Sequence, residues 1–163
     1  MRLPCLAALS LLLVTPVVAE EWKYEGGNVP IAWFDNGAAQ FQFACRGGQL
    51  AMGFWVRKPE AAVAGMTALS LAITPDPAAG SKVTGGTGTS FAQDMPLVHS
   101  DGSSVIVRGP VARQWARIAQ GARKDMRVGY VRPAGSGLDV FDANIFGAKG
   151  SSGTIAKVLA KCG

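Results

Sequence analysis

Two apolar alternations on either side of Arg46-Gly47-Gly48 restrict this chain more than any other feature. Phe41, Phe43 and Cys45 stand two residues apart, and Leu50, Met52, Phe54 and Val56 resume the same period after the turn. A period of two puts the apolar side chains on one face of an extended strand. A glycine-rich turn between two such runs makes an antiparallel hairpin. Residues 39–45 and 49–57 are therefore predicted to pair, with Cys45 facing the core.

The remainder continues strand-first. Trp22 and Tyr24 alternate with charged residues. Residues 31–34 are apolar and stop at Asp35-Asn36-Gly37, a strong turn signal. Pro59 ends the second hairpin strand, and the Ala-rich residues 60–66 suit one short helical turn. Leu69, Leu71 and Ile73 alternate up to Pro75-Asp76-Pro77. Residues 78–90 read as a mobile loop around a weak strand at 82–84. Its run Gly85-Gly86-Thr87-Gly88-Thr89 lacks the Gly-Lys-Ser/Thr ending of a phosphate-binding loop. Leu97-Val98, the turn Ser100-Asp101-Gly102 and residues 104–108 suggest a second hairpin.

Pro110 then opens a helix at its tolerated first position. Val111, Trp115, Ile118 and Ala119 recur at helical spacing, and Gly121 stops it. Met126, Val128 and Tyr130 return to period two, residues 133–137 turn, and 138–146 form a further strand. Ser151 or Ser152 is expected to cap a last helix, with Ile155, Val158 and Leu159 inward. The predicted fold is mainly β (α+β): an antiparallel β-sandwich or small barrel with two peripheral helices, in one domain over residues 20–163.

Residues 1–19 read differently. Arg2 precedes an apolar run at 6–18, and Val17 and Ala19 are small residues placed for cleavage after Ala19. This is the order of a secretory signal, and the run is short for a membrane span. The expected mature chain has 144 residues and no later apolar run of spanning length. Of three cysteines, Cys5 would leave with the leader. Cys45 and Cys162 remain, and an even pair in an oxidising compartment reads as a disulfide. Its loop of 117 residues would pin the last helix to the sheet. The expected location is the periplasm or the exterior.

The last third has a recognisable outline. A strand at 126–132 leads to Phe141 and Phe146-Gly147, then Gly150-Ser151-Ser152, then Thr154-Ile155-Ala156, Val158-Leu159 and Cys162-Gly163. This resembles the tails of small exported proteobacterial proteins, in the invasion-associated locus B family and among type VI secretion-associated accessory proteins. The likeness rests on spacing over about a quarter of the chain, and the additional central cysteines of the locus B pattern are missing. It implies a β-rich periplasmic accessory protein, whose early strand is bonded to its tail, and no particular chemistry.

Motifs for catalysis are sparse. His99, the only histidine, would need Asp94 or Asp101 to orient it and a serine nucleophile. No Gly-x-Ser-x-Gly elbow occurs, and a histidine before a Ser-Asp-Gly turn is an ordinary surface residue. A small envelope hydrolase using His99 is thus the alternative reading. One histidine and a bonded cysteine pair suit zinc poorly, and Met95 with His99 supplies only two copper ligands. No metal or other cofactor is expected. Asp139 and Asp142, three apart on a strand, face opposite ways unless a bulge intervenes.

Trp22, Tyr24, Trp33, Trp55 and Trp115 could form a stacking platform for a sugar or peptide, which would make the chain a ligand-binding barrel with an aromatic pocket. Trp115 belongs to the apolar helix stripe. Trp55 points away from Phe54 and Val56, alongside Ala51, Gly53 and Arg57. Either the second sheet face is covered, the commoner case, or Trp55 marks an exposed patch.

Charge gives the one positive hint. Without Arg2 the chain has 15 basic and 11 acidic residues, a net of +4. Arg108, Arg113, Arg117, Arg123, Lys124, Arg127 and Arg132 stand against Asp125 alone, so that segment carries +6 and the rest −2. Arg113 and Arg117 share one helix face. The principal expectation is a non-enzymatic accessory protein whose basic face binds an acidic envelope protein, an acidic polymer or an anionic lipid surface. A solvated helix face with no partner is the plain alternative. Nucleic acid is not an expected partner.

Overall fold

Alternation sets the architecture. The computed structural model describes residues 20–80, 88–135 and 137–162. Among them are strands β1 (Lys23–Glu25), β2 (Ile31–Asp35), β3 (Ala39–Arg46), β4 (Gln49–Val56), β5 (Ala68–Pro75), β6 (Ser90–Val98), β7 (Ser103–Arg108), β8 (Asp125–Ala134) and β9 (Gly137–Gly147). Helix α1 (Pro110–Gly121) joins β7 to β8, α2 (Ser151–Leu159) follows β9, and a single 3₁₀ turn (Ala61–Val63) precedes β5. The predicted leader at 1–19 and the weak strand at 82–84 lie outside the described residues.

The strands form one antiparallel sheet in the order β1-β2-β3-β4-β7-β6-β5-β8-β9. The predicted hairpin is β3–β4, with Phe41 opposite Phe54, Phe43 opposite Met52 and Cys45 opposite Leu50. The sheet curls into a half-barrel, and β6 makes its corner. The first part of β6 pairs with β5, while only Leu97 and Val98 pair with β7. An extra residue at Gln93-Asp94 bulges the strand within its β5-paired part, three residues before that switch, with Asp94 at φ 49°. The sandwich and the barrel thus merge into one curled sheet.

The sheet's two edges meet. Trp22 Nε1 donates to the Gly147 carbonyl at 2.9 Å, and the Trp22 backbone N–H donates to Lys149 at 3.0 Å. Asn36 Nδ2 donates to the Ile145 carbonyl at 3.1 Å. Behind these bonds Trp22 packs on Phe34, Phe41 and Phe43, and Phe34 meets Phe146 edge-on.

Both helices pack across the concave side. Ala112, Trp115, Ala116 and Ala119 of α1 and Ile155 and Val158 of α2 are buried in one core with Met52, Phe54, Val107 and Tyr130. The capping of α2 differs from expectation. Its N-cap is Gly150 at φ 82°, with no side-chain cap, because the left-handed turn carries the chain into the helix. Ser151 is buried at the first helical position, and its Oγ has no partner among the described residues. The disulfide Cys45–Cys162 is formed, with Cα atoms 5.7 Å apart, and ties the end of α2 to β3.

The β6–β7 turn depends on one glycine. Gly102 has φ 121°, and a Cβ there would lie 2.2 Å from the Val56 carbonyl oxygen. Gly102→Ala is expected to cost roughly 2–4 kcal/mol through backbone strain and this collision. Urea denaturation checks it. Gly121→Ala, where a Cβ meets open space, serves as the neutral control.

Candidate functional site

The seven predicted cations separate. Arg108 ends β7 and is exposed; Arg113 and Arg117 lie on α1. Arg108 and Arg113 line a groove of about 630 Å³ with Gly48, Gln49, Leu50 and Pro110. A second groove of about 490 Å³ shares Pro110 and Arg113 and adds Gln114, Arg117 and Ile118. Among the described residues no carboxylate lines either. Arg46, opposite Gln49 across the β3–β4 turn, adds a further cation nearby. Arg113 is positioned by its Nη2, which donates to the Cys162 carbonyl at 2.7 Å. The disulfide end of the molecule is therefore basic.

The other four cations are elsewhere. Backbone N–H groups of Lys124 and Arg123 donate to the Asp76 carboxylate at 2.7 and 3.0 Å, with Asp125 adding a third at 3.3 Å. These bonds, Lys124's foremost, hold the Asp76 carboxyl below its usual range. The Arg123 and Lys124 side chains remain exposed. Arg127 is half-buried on β8, turned away from Met126 and Val128 as the alternation requires, between Thr74 and Ile145 of the flanking strands. Arg132 is paired with Asp139 at 2.7 Å and lies over the Phe141 ring at 4.3 Å.

The arrangements needed for hydrolysis are not assembled among the described residues. The His99 ring Nε2 sits 2.8 Å from the Met66 carbonyl and so donates to it. Neither Asp94 nor Asp101 bonds to the ring. The shortest hydroxyl pair among the described residues, Ser103 and Tyr130 at 2.8 Å, is buried, and burial pushes the Tyr130 hydroxyl up to about 12. A group of that acidity is a poor general base at neutral pH. Asp139 is taken by Arg132, and Asp142 Oδ2 accepts the Glu60 backbone N–H at 2.8 Å. No group of three or more His, Cys, Asp or Glu suited to a metal ion occurs among the described residues. No described helix is long and apolar enough to cross a membrane.

The five aromatic candidates divide by face. Trp22 and Trp115 are buried, and Tyr24 packs against the same core. Trp33 and Trp55 lie half-buried on the convex face, opposite the core that the buried residues of both helices share with Ala32, Phe34, Phe54 and Val56. Trp55 borders a depression of about 240 Å³ formed with Gln40, Gln42, Gly53, Ser104 and Ile106. The four partners on β3 and β7 carry no local motif in sequence. Their polar–apolar alternation was readable, but their convergence depends on the β3–β4–β7 register. Comparison with family models, curated proteins and solved structures found no match for the chain.

Proposed function

We propose that this is an exported, non-enzymatic binding or accessory protein that holds an acidic envelope partner at its Arg108–Arg113–Arg117 grooves. One observation carries the reading: two grooves sharing Arg113 are lined by three arginines and, among the described residues, no carboxylate. A surface of one sign attracts and orients an oppositely charged partner. Arg113, held by the Cys162 carbonyl, presents its guanidinium in a set position. Export is supported by the leader pattern at 1–19 and by the bridged cysteines. The likeness of the tail to small exported accessory proteins points the same way.

The test is salt-graded retention of the partner from envelope extract on immobilised protein. Neutralising Arg108, Arg113 and Arg117 to Gln is expected to weaken retention roughly tenfold or more at low salt, since each exposed charge contributes up to about 1 kcal/mol. Arg132→Gln, whose charge is already engaged by Asp139, should leave retention unchanged. Equal retention by the triple variant and the parent would refute the reading.

A further inference from the structure

The outer face of β2, β3, β4 and β7 differs in chemistry from the arginine grooves. In one cross-strand row stand Trp33, Gln42, Gly53 and Ile106; in the next stand Asp35, Gln40, Trp55 and Ser104. Gly53 contributes no side chain, so the depression opens there. Among the described residues no ionisable side chain lines it.

Both indoles bordering this area are held in place. Trp55 Nε1 donates to the Asp101 carbonyl at 3.0 Å, and the Arg57 guanidinium stacks 4.5 Å from its ring centre. Arg57 is itself fixed by an ion pair with Asp35, which holds the Asp35 carboxyl below its usual range. Trp33 Nε1 donates to Glu25 Oε1 at 3.0 Å, and Lys23 lies 4.8 Å from its ring centre. Along β4, Gly53 and Arg57 stand two residues to either side of Trp55 on the same sheet face, and Trp55 and Gly53 both border the depression. Trp33 stands likewise between Lys23 on β1 and Gln42 on β3.

An amide pair completes the surface. Gln40 Nε2 donates to Gln42 Oε1 at 3.0 Å. Gln40 Oε1 and Gln42 Nε2 have no hydrogen-bond partner among the described residues, leaving a side-chain acceptor and a side-chain donor open on this face.

We propose that this face binds a neutral saccharide chain. A pyranose ring offers an apolar C–H face to stack on an immobilised indole, and hydroxyls that both donate and accept. Trp55 takes the ring, and Gln40, Gln42 and Ser104 take its hydroxyls. Strand spacing and rise put the Trp33 and Trp55 backbones about 12 Å apart, which calls for linked sugars rather than one. The uncharged lining favours a neutral ligand over an acidic one. A peptide strand would look for an open sheet edge, and this is a face.

The experiment is a tryptophan-fluorescence titration of the full chain with cellohexaose, maltohexaose and chitohexaose, repeated with added salt. A saturable shift with at least one of them is expected, insensitive to salt, unlike binding at the arginine grooves. Trp33→Ala and Gly53→Ala should each weaken it about tenfold. A Cβ at Gly53 would lie 3.0 Å from Gln42 Nε2, displacing a flexible amide and no backbone, so this variant keeps the fold. No shift with any of the three sugars, or unchanged affinity in both variants, overturns the proposal. So does a concentration-dependent dimer that Ile106→Arg dissociates and sugar does not, since the face would then be a self-interface.

Discussion

Replacing Cys45 and Cys162 together by alanine is expected to lower the unfolding free energy by about 4–5 kcal/mol, because the bridge closes a 117-residue loop. A small domain has about 5–15 kcal/mol in total, so the variant should be close to unfolding near body temperature. The loss should not be uniform. Cys162 follows α2, and its carbonyl holds Arg113 on α1. Unlatching should free α2 first and loosen the arginine grooves before the sheet melts. Urea denaturation of the oxidised parent and the double variant measures the total, and amide exchange over residues 151–162 reads the order. A loss below about 1 kcal/mol would mean that the sheet holds α2 without the bridge.

Trp115→Ala is expected to cost about 3–5 kcal/mol, the range for deleting a large buried aromatic. Trp115 is fully buried at the middle of α1, on the concave side of the curled sheet. Its Nε1 donates to Ser90 Oγ at 3.1 Å, tying the helix to the start of β6. Its truncation removes packing from α1 and opens a cavity in the concave core. Trp115→Phe keeps most of the volume and loses the hydrogen bond, so it should cost about 1–2 kcal/mol. Thermal unfolding of both variants separates packing from bonding. Equal losses would place most of the effect in the Ser90 bond.

The parts of the fold legible in sequence were those fixed by local periodicity. Phe41, Phe43 and Cys45 and the run from Leu50 to Val56 gave β3 and β4 their core faces, and Pro110 with Gly121 bounded α1. Phe141 and Phe146 show where periodicity runs out. Five apart, they belong on opposite faces of a regular strand, yet both are buried in one core. The β8–β9 register slips between Val128 and Tyr130, and an extra residue at Asp142-Ala143 resets the phase. Asp142 adopts φ 47° there. A bulge of this kind is set by pairing with another strand, so the strand's own sequence does not announce it.

The candidate sites were legible to the same degree. The basic segment was visible as charge, but its division was not. Arg132 meets Asp139 because β8 and β9 place them directly opposite, and Arg108 and Arg113 line one groove because Gly109-Pro110 joins the end of β7 to the start of α1. Trp55 could be assigned to the outward face by counting. Whether anything covered that face depended on where α1 and α2 packed, and they chose the other side.

The meeting of the two sheet edges has a consequence for how copies of this chain behave in a crowded compartment. The outermost strand β9 carries carbonyls that would otherwise invite another chain to add a strand and start an aggregate. At Ile145 and Gly147 those carbonyls already accept an amide from Asn36 and the indole N–H of Trp22. The opposite rim, β1, is only three residues long, too short to template much. Curling the sheet until its margins touch is thus also a guard against self-propagating strand addition.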